Sequence, residues 1–184
     1  MIEQNFFTGH FLVAMPSLND INFSRAVIYV EEHSEEGAIG IVVNKPLHLS
    51  LGNVLNHLNI TITSDATANQ AVYMGGPVGQ DQGFVLHPPW PKPDNTDEKI
   101  CISSSKEILR LIATGQGPSN FIITLGYSGW EPGQLEIEIA RNAWLVVPGD
   151  PNIIFDTPID NRWSAAAKIL GIDVNQLSEQ SGHA

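Results

Sequence analysis

Three stretches of this 184-residue chain concentrate residue types that could do chemistry. Asp20-x-x-Phe23-x-Arg25 sets a carboxylate and a guanidinium just before an apolar run, where Arg25 could fix an anionic group. The same residues also suit an Asx-turn with a structural ion pair. Gly75-Gly76-Pro77-Val78 leads to Asp81 and then Gly83-Phe84-Val85-Leu86-His87. Two glycines at a strand end can present backbone N–H groups to an anion. Asp81 and His87 could form a carboxylate–imidazole pair for proton transfer near neutrality. A tight turn, with His87 closing a strand before Pro88-Pro89, accounts for them equally well. Leu125-Gly126-Tyr127-Ser128-Gly129-Trp130 continues to Gly133-Gln134-Leu135-Glu136. Aromatic walls on permissive backbone suit a flat or sugar-like ligand, and the same rings also suit the core or rim of a sheet.

Other chemistries lack their residues. There is no G-x-x-x-x-G-K-[ST] loop and no G-x-G-x-x-G after a strand, so neither common nucleotide motif is present. His10, His33, His48, His57, His87 and His183 have no metal-ligand spacing, and no C-x-x-C occurs; no metal or cofactor is expected. Ser128 follows a strand, but its second glycine comes one residue too early for a nucleophile elbow. The lone cysteine, Cys101, sits in an apolar run and reads as an inert core thiol. Asp156-Thr157-Pro158 with Arg162-Trp163 reads as the cap of a last helix.

The elements that must position these residues are short. Strands are expected at 11–15, 26–30, 39–43, 71–74, 83–87, 100–103, 121–125, 144–147 and 153–155, from β-branched and aromatic runs bounded by Gly and Pro. Residues 26–43 read as a hairpin with a polar loop at 31–37, and Gly40 as a bulge or close backbone approach. Residues 61–70 read as a polar loop. Helices are expected after Ser50, from Ser104 or Ser105 to Ala113 and at 161–170; at 134–141 the alternation Leu135, Ile137, Ile139 would equally suit a strand, but strand-poor Glu136, Glu138 and Ala140 favour a helix. Single helices between strands, with antiparallel connections, argue against a doubly wound parallel sheet. The expectation is one α+β domain spanning 1–184, with a mixed, largely antiparallel sheet that is curved or barrel-like and about four flanking helices.

Composition narrows the function classes. The net charge is −11, with nine Lys and Arg scattered along the chain. No segment offers the basic footprint of a phosphate-backbone binder, so direct nucleic-acid binding is not expected. One cysteine allows no internal disulfide and suits a reducing compartment. No apolar run approaches a membrane span, and the N-terminus lacks a basic leader region, so a cytoplasmic location is expected.

Taken in order, the motifs resemble the AlgH/YqgE family of bacterial proteins. The match runs from Gly9-x-Phe11-Leu12-x-Ala14-Met15-Pro16 through Glu32-His33, Asn44-x-Pro46, Gly75-Gly76-Pro77-Val78, Gly83–His87 and Leu125–Glu136. It continues through Asn142-x-Trp144 and Arg162-Trp163 to Gly182-His183-Ala184. Gln82 and Lys45 stand where the family has arginine, and Ser128 where it often has alanine. The resemblance implies an α+β fold whose bifurcated sheet closes into a pseudo-barrel. It also implies an association with transcriptional regulation, one member being named a regulator of alginate production. With this charge, such a role is expected to be indirect, through a small ligand or a protein partner. The expected ligand site gathers Arg25, His33, Asn44, Gly75, Gly76, Tyr127, Trp130 and Gln134 in one cleft. The alternative is a hydrolase or transferase with His87 as base and Asp81 or Asp20 orienting it. A third reading is an adaptor whose acidic surface recruits a basic protein.

Overall fold

The computed structural model describes residues 6–92 and 95–181, with side chains described to residue 177. Gly182, His183 and Ala184 of the family-like ending lie outside the described residues. Among the described residues nine strands form the frame: β1 (His10–Ala14), β2 (Val27–Ser34), β3 (Gly37–Val42), β4 (Pro46–Ser50), β5 (Ala71–Met74), β6 (Val78–His87), β7 (Cys101–Ser103), β8 (Ile122–Trp130) and β9 (Trp144–Pro148). Seven α-helices accompany them among the same residues: α1 (Leu51–His57), α2 (Asp65–Ala68), α3 (Lys106–Ala113), α4 (Gln134–Ala140), α5 (Pro151–Phe155), α6 (Arg162–Lys168) and α7 (Val174–Ser181).

β8 organises the sheet. Its first half lies between β5, in parallel with Val72 opposite Ile123, and β6, antiparallel with Val85 opposite the same residue. Its end turns to β3, with Gly40 opposite Ser128 and Ala38 opposite Trp130. One strand thus serves two sheets, β9-β1-β2-β3-β8 and β4-β5-β8-β6-β7. Every pairing except β5–β8 is antiparallel. The bifurcation agrees with the family resemblance. The sheet does not close, however, because β4, β7 and β9 remain edges, so the expected pseudo-barrel is not formed.

The turn of β8 explains three glycines. Gly126 has φ +80°, open to glycine at little cost, and a Cβ there would stand 2.5 Å from the Gly76 oxygen. A Cβ on Gly75 would lie 2.3 Å from the Gly126 oxygen, and one on Gly76 2.1 Å from the Tyr127 carbonyl. The Gly75 N–H donates to Leu125 O at 2.8 Å, and Gly75 O accepts from Val42 N at 2.8 Å and from Ser128 Oγ at 3.3 Å. The Gly75 peptide therefore ties β5 to both β8 and β3. Gly40 is a second close approach: a Cβ would meet Ile28 Cγ2 at 2.6 Å, beside the bulge between Val30 and Glu32.

Alternation along β1 sends Phe11 and Val13 to one side and Leu12 and Ala14 to the other, as the two-residue strand period requires. Phe11 and Val13 join Ile41, Leu86 and Ile122 from both sheets with Trp163 of α6. Leu12 and Ala14 join Trp130, Trp144 and Leu135 of α4. Val72, Val85 and Ile123 face a third cluster built with Leu55 of α1 and with Ile108 and Ile112 of α3.

Several expectations change. Residues 153–155 are not a strand but the end of α5, because Asp150 caps Asn152 N at 2.9 Å and Pro151 opens the helix. The hairpin loop is tight, since β2 runs on through His33 to Ser34, opposite Gly37. The polar loop at 61–70 contains α2, capped by Ser64. β4 and α7 were not expected. Gln134–Ala140 is helical, as the sequence favoured. Gly126→Ala should destabilise the fold by at least about 2 kcal/mol, since overpacking adds to left-handed strain; urea unfolding followed by circular dichroism measures this.

Candidate functional site

His87 closes β6, and its side chain is 4 % exposed. Its Nδ1 lies 2.6 Å from Pro88 O and so carries a proton; in the neutral ring Nε2 then accepts from Ser103 Oγ, 2.8 Å away. β7 delivers that serine, with Ser103 paired opposite Val85 two residues before His87. The expected His87–Asp81 pair is not made. Asp81 is exposed in the irregular first half of β6, where register shifts between Val78 and Gly83. Asp20 does not orient His87 either: its carboxylate caps Asn22 N at 2.8 Å and Phe23 N at 3.1 Å, the expected Asx-turn.

The aromatic segment goes mainly to the core. Trp130 is 6 % exposed, lies near-parallel to Phe23 and edge-on to Trp144, and cannot offer a stacking wall. The Trp130 and Trp144 indole N–H groups both donate to Glu138 Oε1, at 3.3 and 3.1 Å. Ser128 is fully buried on Gly75 O, which removes it as a nucleophile. Tyr127 is half-buried and meets Phe84 edge-on. Gln134 accepts from Glu131 N at 2.9 Å in the turn before α4. Tyr127, Trp130 and Gln134 do share the lining of one open cavity of about 570 Å³, with Val78 and Glu32.

The remaining expected residues lie in other clusters. His33 is buried, with Nδ1 accepting from Phe7 N at 3.1 Å and Nε2–H donating to Glu136 Oε1 at 2.8 Å. Phe7 stacks on its ring at 5.7 Å. Asn44 bridges backbone, donating to Arg25 O at 2.8 Å and accepting from Val27 N at 2.8 Å. Arg25 has φ +58° and lays its guanidinium 4.8 Å over the Trp163 ring. Gly75 and Gly76 are not an anion nest, because the Gly75 amide is spent on Leu125 O and neighbouring backbone fills the space. The single cleft expected from sequence is thus divided among several local arrangements.

A cavity of about 520 Å³ lies where α1 and α3 cover β6 and β8. Val54, Leu58, Leu109, Val85, Ile123 and Leu125 supply apolar wall. Asn53, His57, Gln80, Asp81 and Lys106 add polar groups around it. Another cavity of about 580 Å³ is lined by three carboxylates, Glu31, Asp97 and Glu98, with Lys99, Cys101 and Tyr29. Burial raises the Glu31 carboxyl, and neighbouring Glu32 adds to the rise. Among the described residues no group of three or more His, Cys, Asp or Glu could hold a metal, and no helix is long and apolar enough to cross a membrane.

The AlgH-like family model matches residues 11–175. This chain belongs to the AlgH family. A UPF0301 protein of Coxiella burnetii is 53% identical over the full length of both chains. Another, from Pseudoalteromonas translucida, is 49% identical over 96% of this chain and 97% of its own. The solution structure of AlgH from Pseudomonas aeruginosa matches with a TM-score of 0.77 and 43% identity, covering 100% of this chain and 99% of that one. A Corynebacterium diphtheriae crystal structure, 23% identical, shares the fold at a TM-score of 0.71 over 97% of this chain and 94% of its own.

Within this AlgH-family fold, sequence reading missed Ser103, His57, Lys106 and Leu109. Leu109 left a signal, being a large apolar residue within the helix expected from Ser104 or Ser105 to Ala113. Ser103 left little, since only tertiary pairing of β6 with β7 brings it to His87. Cys101 is half-buried rather than sealed in the core. Burial first, then the Glu98 carboxylate, raises its thiol above the ordinary cysteine value. Alkylation by iodoacetamide at pH 8 should therefore run slower than in the urea-unfolded chain, because less thiolate is present. Glu98→Gln should speed it, as followed by mass spectrometry.

Proposed function

We propose that this AlgH-family protein binds a small amphipathic molecule between α1 and α3 and exerts its regulatory role in the cytoplasm indirectly, through that ligand. The supporting observation is the cavity of about 520 Å³, whose walls are largely aliphatic and whose polar groups are few. That size and lining suit a small-molecule site. Val54, Leu109, Val85 and Ile123 would take an apolar body. Lys106 and His57 could meet an acidic head, and Asp81 and Gln80 a hydroxyl or amine. The net charge of −11 disfavours a direct contact with nucleic acid.

Anilinonaphthalene sulfonate, an apolar fluorophore with an anionic head, is the probe. It should bind the folded protein at one site, and Leu109→Trp, which fills the cavity from α3, should abolish the enhancement while the circular dichroism spectrum is unchanged. Val54→Trp should act likewise from α1. Equal binding by wild type and both variants would refute the reading.

A second reading is favoured by one contact, Ser103 Oγ on His87 Nε2 at 2.8 Å with Pro88 O fixing the imidazole. A base that accepts from a hydroxyl and is oriented by a third group is the arrangement of an activated nucleophile. In an acyl-transfer enzyme Ser103 would be the nucleophile and His87 its base, in place of the carboxylate partner expected from sequence. A fluorophosphonate should then label Ser103, and His87→Asn should prevent it. An unlabelled serine would leave the dyad a structural hydrogen bond.

A further inference from the structure

Nine cations serve this acidic chain, and three of them belong to segments that touch one another: the residue 24–25 turn, the residue 43–45 segment and α6. Arg162 is 6 % exposed. Its Nη1 donates to Val43 O at 2.6 Å and its Nε to Thr157 O at 3.0 Å, and its face covers the Tyr73 ring at 5.3 Å. Two residues after Val43, the Lys45 ammonium donates to Ser24 O. Arg25 follows Ser24 and stacks on Trp163, the neighbour of Arg162. Each cationic segment is thus joined to the other two by a direct contact. Asn44 holds Arg25 O and Val27 N together, keeping Arg25 in its left-handed backbone conformation.

These contacts satisfy hydrogen bonds without cancelling charge. Among the described residues, no carboxylate lies within 4.0 Å of Arg25, Lys45 or Arg162; the ion pairs there are His33–Glu136 and Arg110–Glu107. Buried charges are ordinarily paired, because desolvation in a low dielectric is costly. Lys45 carries the mark of that deficit: burial first, then the nearby Arg25, lowers its ammonium below the ordinary value. Two of the five N–H donors of Arg162 are used by the carbonyls just described.

We propose that Arg25, Lys45 and Arg162 form a binding site for a phosphoryl group. A doubly charged oxyanion relieves the repulsion between Lys45 and Arg25 and compensates the buried Arg162 charge, which a single carboxylate does less well. It also has enough oxygens to accept from two guanidinium forks and an ammonium at once. The site shares no residue with the cavity between α1 and α3, so either assignment stands without the other.

Inorganic pyrophosphate titrated into the full chain tests this, with sodium chloride at matched ionic strength as control. At saturation pyrophosphate should raise the melting temperature by about 3 °C or more over chloride and shift amide resonances of residues 24–27 and 43–45. Arg25→Gln, at an exposed position, and Lys45→Met should each weaken binding by about tenfold or more, while Lys45→Arg should retain it. Equal responses to pyrophosphate and chloride would overturn the proposal. So would Arg25→Gln and Lys45→Met proteins that stay folded and titrate like wild type.

Discussion

The backbone crossing at Gly75-Gly76 and Gly126-Tyr127 is the constraint on which the rest of the molecule depends. Two strands approach there so closely that no Cβ fits on three of these four residues. The approach lets Gly75 O reach both Val42 N and Ser128 Oγ while Gly75 N holds Leu125 O. β8 can then leave one sheet and enter the other without abandoning its backbone hydrogen bonds, which buried peptide groups require. The glycines that suggested an anion cradle serve this crossing instead.

Because β8 serves two sheets, the molecule has three apolar faces to cover rather than two. α6 and α7 close the space between the sheets, α4 covers Trp130 and Trp144, and α1 and α3 cover Val85 and Ile123. The third cover leaves the aliphatic cavity along α1 and α3. Elsewhere polar residues complete the covering: Glu138 takes two indole N–H groups, and Glu136 takes the His33 imidazole. Several side chains with catalytic chemistry are therefore held as structural partners, and the unassigned capacity lies in cavities and unpaired charge.

Charge distribution separates those capacities. A chain of net charge −11 places acidic groups around Tyr29 and Cys101, where burial and neighbouring carboxylates raise the groups that titrate. At the 24–25, 43–45 and 162–163 contacts it places cations whose partners, among the described residues, are carbonyls and aromatic rings rather than carboxylates. Of these, Arg162 is held out of water, and a buried charge needs a compensating partner, which makes this contact unlike the solvated acidic surface.

Local rules were legible in the sequence. Alternation and β-branching marked most strands, the Asx-turn at Asp20 and the helix at Gln134–Ala140 were readable, and the ordered motifs pointed to the family. Asp150-Pro151 was an unread cap-and-start signal that makes 151–155 helical. Partners distant in the chain were not legible. Neither Ser103 beside His87, nor Arg162 on Val43, nor the open edges of the sheet follows from spacing. Residue type and periodicity report what a segment buries, so elements and core could be derived from them. Which face meets which was decided by where β8 turns, a backbone contact between segments some fifty residues apart, and that meeting chose the partner of every candidate side chain.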